Sequence, residues 1–207
     1  MIKNIIFDWS GVVNDSVENL LIVVNRMFAE LHLNPISLSE LKQEWVQPYM
    51  RFYNKYAPNL TLEEEQVLYR RAIMSVPASK SYPGIVESIK DFKRKGIKMA
   101  VLSSDFPETL LPEITSFGLE DIFCEVITNS YDKTAGVFEL IKKHDFKLDE
   151  TIFIGDSNHE IEAGKNAGVK TGAVTWGFST GERLEALKPD FMINNIDQLN
   201  YVISGQL

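Results

Sequence analysis

Short apolar runs that stop abruptly at a polar residue constrain this chain more than any other feature. Ile5-Ile6-Phe7 stops at Asp8, Ile97 to Leu102 stops at Ser103-Ser104-Asp105, and Thr151 to Ile154 stops at Gly155-Asp156. Apolar runs without alternation suit strands buried on both faces, as in parallel sheets. Further strands are expected at Cys124 to Thr128, Lys170 to Val174 and Phe191 to Ile193. Between them lie helical patterns: Ile85 to Lys95, Pro107 to Phe117, Thr134 to His144 and Asn158 to Asn166. Strands alternating with helices of this length imply an α/β fold whose parallel sheet is joined by right-handed crossovers.

Residues 16–80 interrupt that rhythm. Leu20, Leu21, Val24, Met27, Phe28 and Leu31 share a helical face, until Asn34-Pro35 breaks the pattern. Ser37 with Glu40, and Thr61 with Glu64, are capping-box spacings that open two more helices, through about Gln47 and Ile73. No strand-like run occurs there. The expected organisation is a Rossmann-like core, residues 1–15 and 81–207, with residues 16–80 as an inserted helical cap.

The 21 Lys and Arg against 29 Asp and Glu give a net charge of −8, which argues against a nucleic-acid partner. A small anion can still be admitted by a local cationic site. The single cysteine, Cys124, is expected as a buried free thiol of a core strand and fits a cytoplasmic protein. The apolar stretch after Met1 is cut off at Asp8, too short for a secretory signal. No segment reaches the roughly 18 apolar residues of a membrane span. A monomer or homodimer is expected.

In open α/β sheets, ligands bind beyond the carboxyl ends of the strands. The polar residues there are Asp8, Ser103, Ser104 and Asp156, with Lys133 a short loop after the Cys124 run. Carboxylates, a lysine and a hydroxyl suit a divalent metal and a phosphate, since magnesium prefers hard oxygen ligands and bridges to phosphate oxygens. The inserted helices would lie over this crevice as a lid.

These residues resemble the four motifs of the haloacid dehalogenase superfamily, in its phosphoglycolate phosphatase-like branch. Ile5-Ile6-Phe7-Asp8-Trp9-Ser10-Gly11-Val12-Val13-Asn14-Asp15-Ser16 is similar to that family's opening hhhDxDGTLxDS. Val101-Leu102-Ser103-Ser104 resembles its second motif, Lys133 its third, and Gly155-Asp156-Ser157-Asn158-His159-Glu160-Ile161 its fourth. The resemblance implies a phosphatase that acts on a small phosphorylated metabolite through an aspartyl-phosphate. The catalytic set would be Asp8, Ser10 and Lys133. Ser103, Ser104, Lys133 and Gly11 would bind phosphate. Asp8, the Ser10 carbonyl, Asp156 and Glu160 would hold magnesium, Glu160 through a water or else by orienting Lys133.

One departure stands out. The family's phosphatases have a second Asp two residues after the nucleophile, as general acid and base; here it is Ser10. Losing such a group costs typically ~10²–10⁴-fold. Two other readings follow: a catalytically impaired binding protein, or a phosphonoacetaldehyde hydrolase-type enzyme with a cap lysine, Lys42 or Lys55. A metal-free dehalogenase fits Gly155-Asp156-Ser157 less well. Other residues are given plainer roles. Glu63-Glu64-Glu65 is expected as a solvated helix start, His159 as a solvated neighbour, and His32 and His144 as surface residues. Trp45, Tyr49, Phe52, Tyr53 and Tyr56 are expected mainly as cap core, with Arg51 a possible anion anchor.

Overall fold

The apolar runs pair as the sequence pattern requires. The computed structural model describes residues 1–205. Its strands are β1 (Asn4–Phe7), β2 (Asn14–Asp15), β3 (Lys80–Ser81), β4 (Lys98–Leu102), β5 (Glu125–Ile127), β6 (Thr151–Gly155), β7 (Lys170–Val174) and β8 (Phe191–Ile193). Six of them form one parallel sheet in the order β5-β4-β1-β6-β7-β8. β1 is central, and every residue of it is buried. Phe7 pairs with Val101 on one side and Ile154 on the other. That register brings the ends of β1, β4 and β6 to one level.

The helices are α1 (Val17–Glu30), α2 (Leu38–Glu44), α3 (Met50–Tyr56), α4 (Leu62–Ile73), α5 (Ile85–Arg94), α6 (Pro107–Ser116), α7 (Lys133–His144), α8 (Asn158–Ala167), α9 (Gly181–Ala186) and α10 (Ile196–Ser204). Successive strand residues point to opposite faces. Ile5 and Phe7 pack with α5, α6 and α10 through Ile89, Leu110 and Val202. Ile6 packs the other way, with α7 and α8 through Val137, Leu140 and Ala163. The resulting three layers have the α/β architecture the pattern implies.

α1 to α4 share a separate apolar cluster built on Val24, Met27, Phe28, Leu41, Phe52 and Leu68. The chain enters and leaves this helical segment through β2 and β3, which pair antiparallel, Asn14 with Ser81 and Asp15 with Lys80. From that packing we read residues 16–80 as a cap domain. Both cap starts follow their spacing. Ser37 accepts from the Glu40 N–H, and Thr61 with Glu64 forms the full reciprocal box.

Three expectations need correction here. Cys124 is exposed and precedes β5 instead of lying in a core strand. β5 is the edge of the sheet, so its residues are only half-buried. His144 is not a free surface residue: it is half-buried, and its Nε2 lies 3.2 Å from Glu125. Glu65 is not solvated like Glu63 and Glu64. It shares the buried face of α4 with Leu68 and Ala72, three and seven residues on.

Candidate active site

The site grows out of strand ends. Asp8 follows β1, and its N–H donates to the Ile154 carbonyl at 2.9 Å, so the sheet ladder fixes its backbone one residue past the strand. Ser103 follows β4, and Asp156 follows β6. Lys133 comes from the opposite direction, as the first residue of α7. A cation at a helix N-terminus is unfavourable, and this one is only 3% exposed. Two anions offset both costs. Its Nζ lies 2.8 Å from Asp8 Oδ1 and also pairs with Glu160 Oε1. Burial pushes its pKa down, but Asp8 and Glu160 more than reverse this, leaving it above the ordinary lysine range.

Glu160 is held from both sides. Oε1 receives Lys133, and Oε2 accepts from the Ser157 N–H and hydroxyl at 3.1 and 2.7 Å, closing the capping box of α8. Burial alone would raise its pKa. Lys133 outweighs that, with His159 and the Ser157 bonds, and holds it down at about 2. Both oxygens being engaged, Glu160 suits the lysine-positioning role better than direct metal ligation. His159 is half-buried, not solvated: its Nδ1 is enclosed with no hydrogen-bond partner among the described residues, and burial lowers its pKa.

Asp8 and Asp156 are the under-compensated pair. Burial raises Asp8 to about 7 despite Lys133. Burial, with Glu160 and Asp8 nearby, raises Asp156 well above the carboxylate range. Carboxylate oxygens of Asp8, Asp156 and Glu160 all lie within 4.8 Å of one another. Three buried carboxylates thus face one buried lysine. An all-oxygen donor set short of positive charge fits a hard divalent cation.

Gly11 has a different task from the expected phosphate contact. It does not line the cavity. Its φ is +79°, and a Cβ there would overlap Asp156 Oδ2. Gly11 therefore makes room for Asp156, whose Oδ2 also accepts the Phe178 N–H at 2.5 Å. A Gly11→Ala protein is expected to lose about 1–3 kcal/mol of stability from left-handed strain and overpacking. Thermal melts would read the loss, and divalent-cation titration would show weaker binding.

The remaining predicted residues converge. Ser103 is buried, and its Oγ accepts the Asp105 N–H at 3.1 Å, leaving its own hydrogen to donate. Ser104 turns its hydroxyl to the Ser130 carbonyl at 3.0 Å, so its backbone is the part left for a ligand. The Ser10 hydroxyl donates to Asp105 Oδ2 at 2.8 Å. Asp8, Ser10, Ser103, Ser104, Lys133 and Asp156 all line one cavity of about 510 Å³, closed on the other side by cap residues.

The cap supplies Trp45, Tyr49, Tyr53, Glu65 and Tyr69 to that cavity. Arg51, Lys42 and Lys55 do not reach it. Arg51 is exposed, Lys55 pairs with Glu44 at 2.5 Å, and Lys42 lies on α2. The anion anchor and the cap lysine for carbon–phosphorus cleavage are thereby corrected. Glu65, Asp105 and Glu113 are cavity residues the motifs did not single out. Glu65 could have been found from its shared face with Leu68 and Ala72. Asp105 and Glu113 sit next to or beyond the second motif with no pattern to mark them.

A family model described as haloacid dehalogenase-like hydrolase matches residues 5–174. The chain belongs to this family. Within it, pyrophosphatase PpaX of Bacillus cereus (strain B4264) is 29% identical over 131 residues, 61% of each chain. The match thus spans about three fifths of that relative's length. Phosphoglycolate phosphatase 1 of Pseudomonas aeruginosa is 25% identical over 211 residues, 94% of this chain and 77% of that one. Among solved structures, a predicted phosphatase from Clostridium acetobutylicum superposes with a TM-score of 0.83 at 21% identity, over 99% of both chains. A predicted phosphoglycolate phosphatase from Haemophilus somnus gives 0.80 at 20%, over 100% of this chain and 98% of that one. These two share the fold. No helix among the described residues is long and apolar enough to cross a membrane.

Lys133 carries the largest electrostatic burden of this haloacid dehalogenase-like site. Lys133→Met leaves Asp8 and Glu160 without their shared cation. Breaking a buried pair costs about 3–5 kcal/mol, so urea denaturation at pH 8 should show a loss of that order.

Proposed function

We propose that the chain hydrolyses a small phosphate monoester with a divalent cation, magnesium, through phosphorylation of Asp8. The observation that carries this is Lys133, buried between Asp8 and Glu160, at the point where the ends of β1, β4 and β6 meet. A scaffold has no physical need to bury an ion cluster of that kind at a helix N-terminus.

Asp8 would attack phosphorus in line, forming its Oδ–P bond as the bond to the leaving alcohol breaks. Lys133 keeps a positive charge beside both the nucleophile and the phosphoryl oxygens. The Ser103 hydroxyl and the Ser104 backbone would hydrogen-bond those oxygens. Water then releases phosphate and restores Asp8. Asp8, the Ser10 carbonyl and Asp156 would hold the cation, which would supply charge neutralisation at the transferring group. The cap would exclude bulk water and select the alcohol.

Ser10 favours a second reading, a weakened protein that retains the pocket for ligand recognition. Its hydroxyl is committed to Asp105 and cannot exchange protons near neutral pH as a carboxylate does. Phosphate release from p-nitrophenyl phosphate, with magnesium and with EDTA, separates the two. Magnesium-dependent release is expected; none under any condition would favour the binding protein.

A further inference from the structure

The cap side of the cavity has chemistry that the phosphate end does not need. Lys133 is the one lysine, arginine or histidine among the described lining residues, and its Nζ is already shared by Asp8 and Glu160. The charged residues on the wall beyond it are carboxylates, Glu65, Asp105 and Glu113. Glu65 is 2% exposed, and no described residue donates a hydrogen bond to its carboxylate or pairs with it. Glu113 receives Trp9 Nε1 at 2.7 Å and Asn14 Nδ2 at 2.8 Å, both on Oε2. Asn14 Oδ1 is buried with no donor among the described residues. Desolvation raises both Glu65 and Glu113 to about 7. Burial pushes the hydroxyl pKa values of Tyr49, Tyr53 and Tyr69 up, and the nearby charge of Glu65 adds to each.

An unpaired buried carboxylate is costly. It persists where a ligand completes it. A buried carboxylate on the wall of a cavity whose one lysine is already shared makes a seat for a cation, and the tyrosine hydroxyls near it can accept from an ammonium group. A second anionic group on the substrate would meet Glu65 and Glu113 with no free cation to neutralise it. We propose that the preferred substrate is a phosphate monoester whose alcohol carries an ammonium group, with Glu65 as its counter-ion among Tyr49, Tyr53 and Tyr69. The Glu113 and Asn14 acceptors then provide further partners for donors on that alcohol. This inference rests on the phosphatase reading of the same cavity.

The test compares kcat/KM for 2-aminoethyl and 4-aminobutyl phosphate with that for propyl and pentyl phosphate and for phosphoglycolate. At least one amino ester is expected to exceed its neutral counterpart by about 10- to 100-fold, with phosphoglycolate poorest. In Glu65→Gln that ratio should collapse towards one. The same variant should melt above wild type at pH 8, because it removes a carboxylate that the empty fold holds unpaired; a structural glutamate would give a lower melt. Equal rates for amino and neutral esters, or a ratio that survives Glu65→Gln, overturns the inference while leaving the phosphatase reading intact. If no ester, p-nitrophenyl phosphate included, is turned over, the phosphatase reading fails. The ammonium seat is then decided by butylamine alone, which should raise the melting temperature of wild type but not of Glu65→Gln. No such rise overturns it.

Discussion

Asp8→Asn is expected to abolish magnesium-dependent phosphate release, by about 10³-fold or more, while leaving the fold intact. The loss follows because an amide cannot form the acyl-phosphate, and a missing nucleophile is not rescued by its neighbours. The fold survives because Asp8 is raised to about 7 by burial. A carboxyl raised above its ordinary value favours the protonated form in the folded state. Its contribution to stability is present at low pH and is lost as pH rises through about 7. Asparagine resembles that neutral form, and Lys133 keeps its pairing with Glu160. The metal-free variant should therefore melt at or above wild type at pH 8. Inactivity with an unchanged or higher melt separates chemistry from structure; inactivity with collapse of the fold would not.

Ser10→Asp is expected to raise turnover by about 10²–10⁴-fold for substrates with poor leaving groups. That range is what a positioned general acid and base supplies. The surroundings favour the effect. Ser10 Oγ already lies 2.8 Å from Asp105 Oδ2, so a carboxyl introduced there meets a second carboxylate. Like charges in one site raise one of the two pKa values, which keeps a proton available near neutral pH for the leaving oxygen. In kcat/KM, which reports the first phosphoryl transfer, the gain should be small for p-nitrophenyl phosphate, whose leaving group needs little protonation; its kcat should still rise, because hydrolysis of the acyl-phosphate is common to both substrates. A steady-state comparison of p-nitrophenyl and alkyl phosphates measures this directly. An equal gain in kcat/KM on both would mean that Ser10 limits binding rather than proton transfer to the leaving oxygen.

How legible the molecule was depends on which physical signal each part leaves. The sheet reads directly because β1 and β6 are buried throughout and β4 is buried from Met99 to Leu102, so these strands need apolar runs. Asp8, Ser103 and Asp156 read directly because each breaks such a run. Helix α3 does not, since Met50–Tyr56 is only seven residues, about two turns, too short to establish a helical period. β2 and β3 are two residues each, too short to carry alternation. α9 and α10 start on side-chain caps, Thr180 and Asn195, whose signal is weak beside the sheet strands. Tertiary placement decided the rest. Gly11 is marked as special by sequence, but only the approach of Asp156 shows what it accommodates. Glu65 sits in a run of three glutamates, and the rotation of about 100° between successive helical residues turns it inward while Glu63 and Glu64 face solvent.

The proposed mechanism stands on one claim, that Asp8 becomes phosphorylated. Ser10 gives that claim a visible consequence, because without a carboxylate to activate water the acyl-phosphate should break down slowly and accumulate. The direct measurement is mass spectrometry of protein quenched in acid during turnover with magnesium, followed by peptide mapping. The predicted result is one added phosphoryl group on the peptide containing Asp8, removed by hydroxylamine, absent with EDTA and diminished in Ser10→Asp. Phosphate release that proceeds with no phosphoryl group on that peptide in either protein would contradict the account.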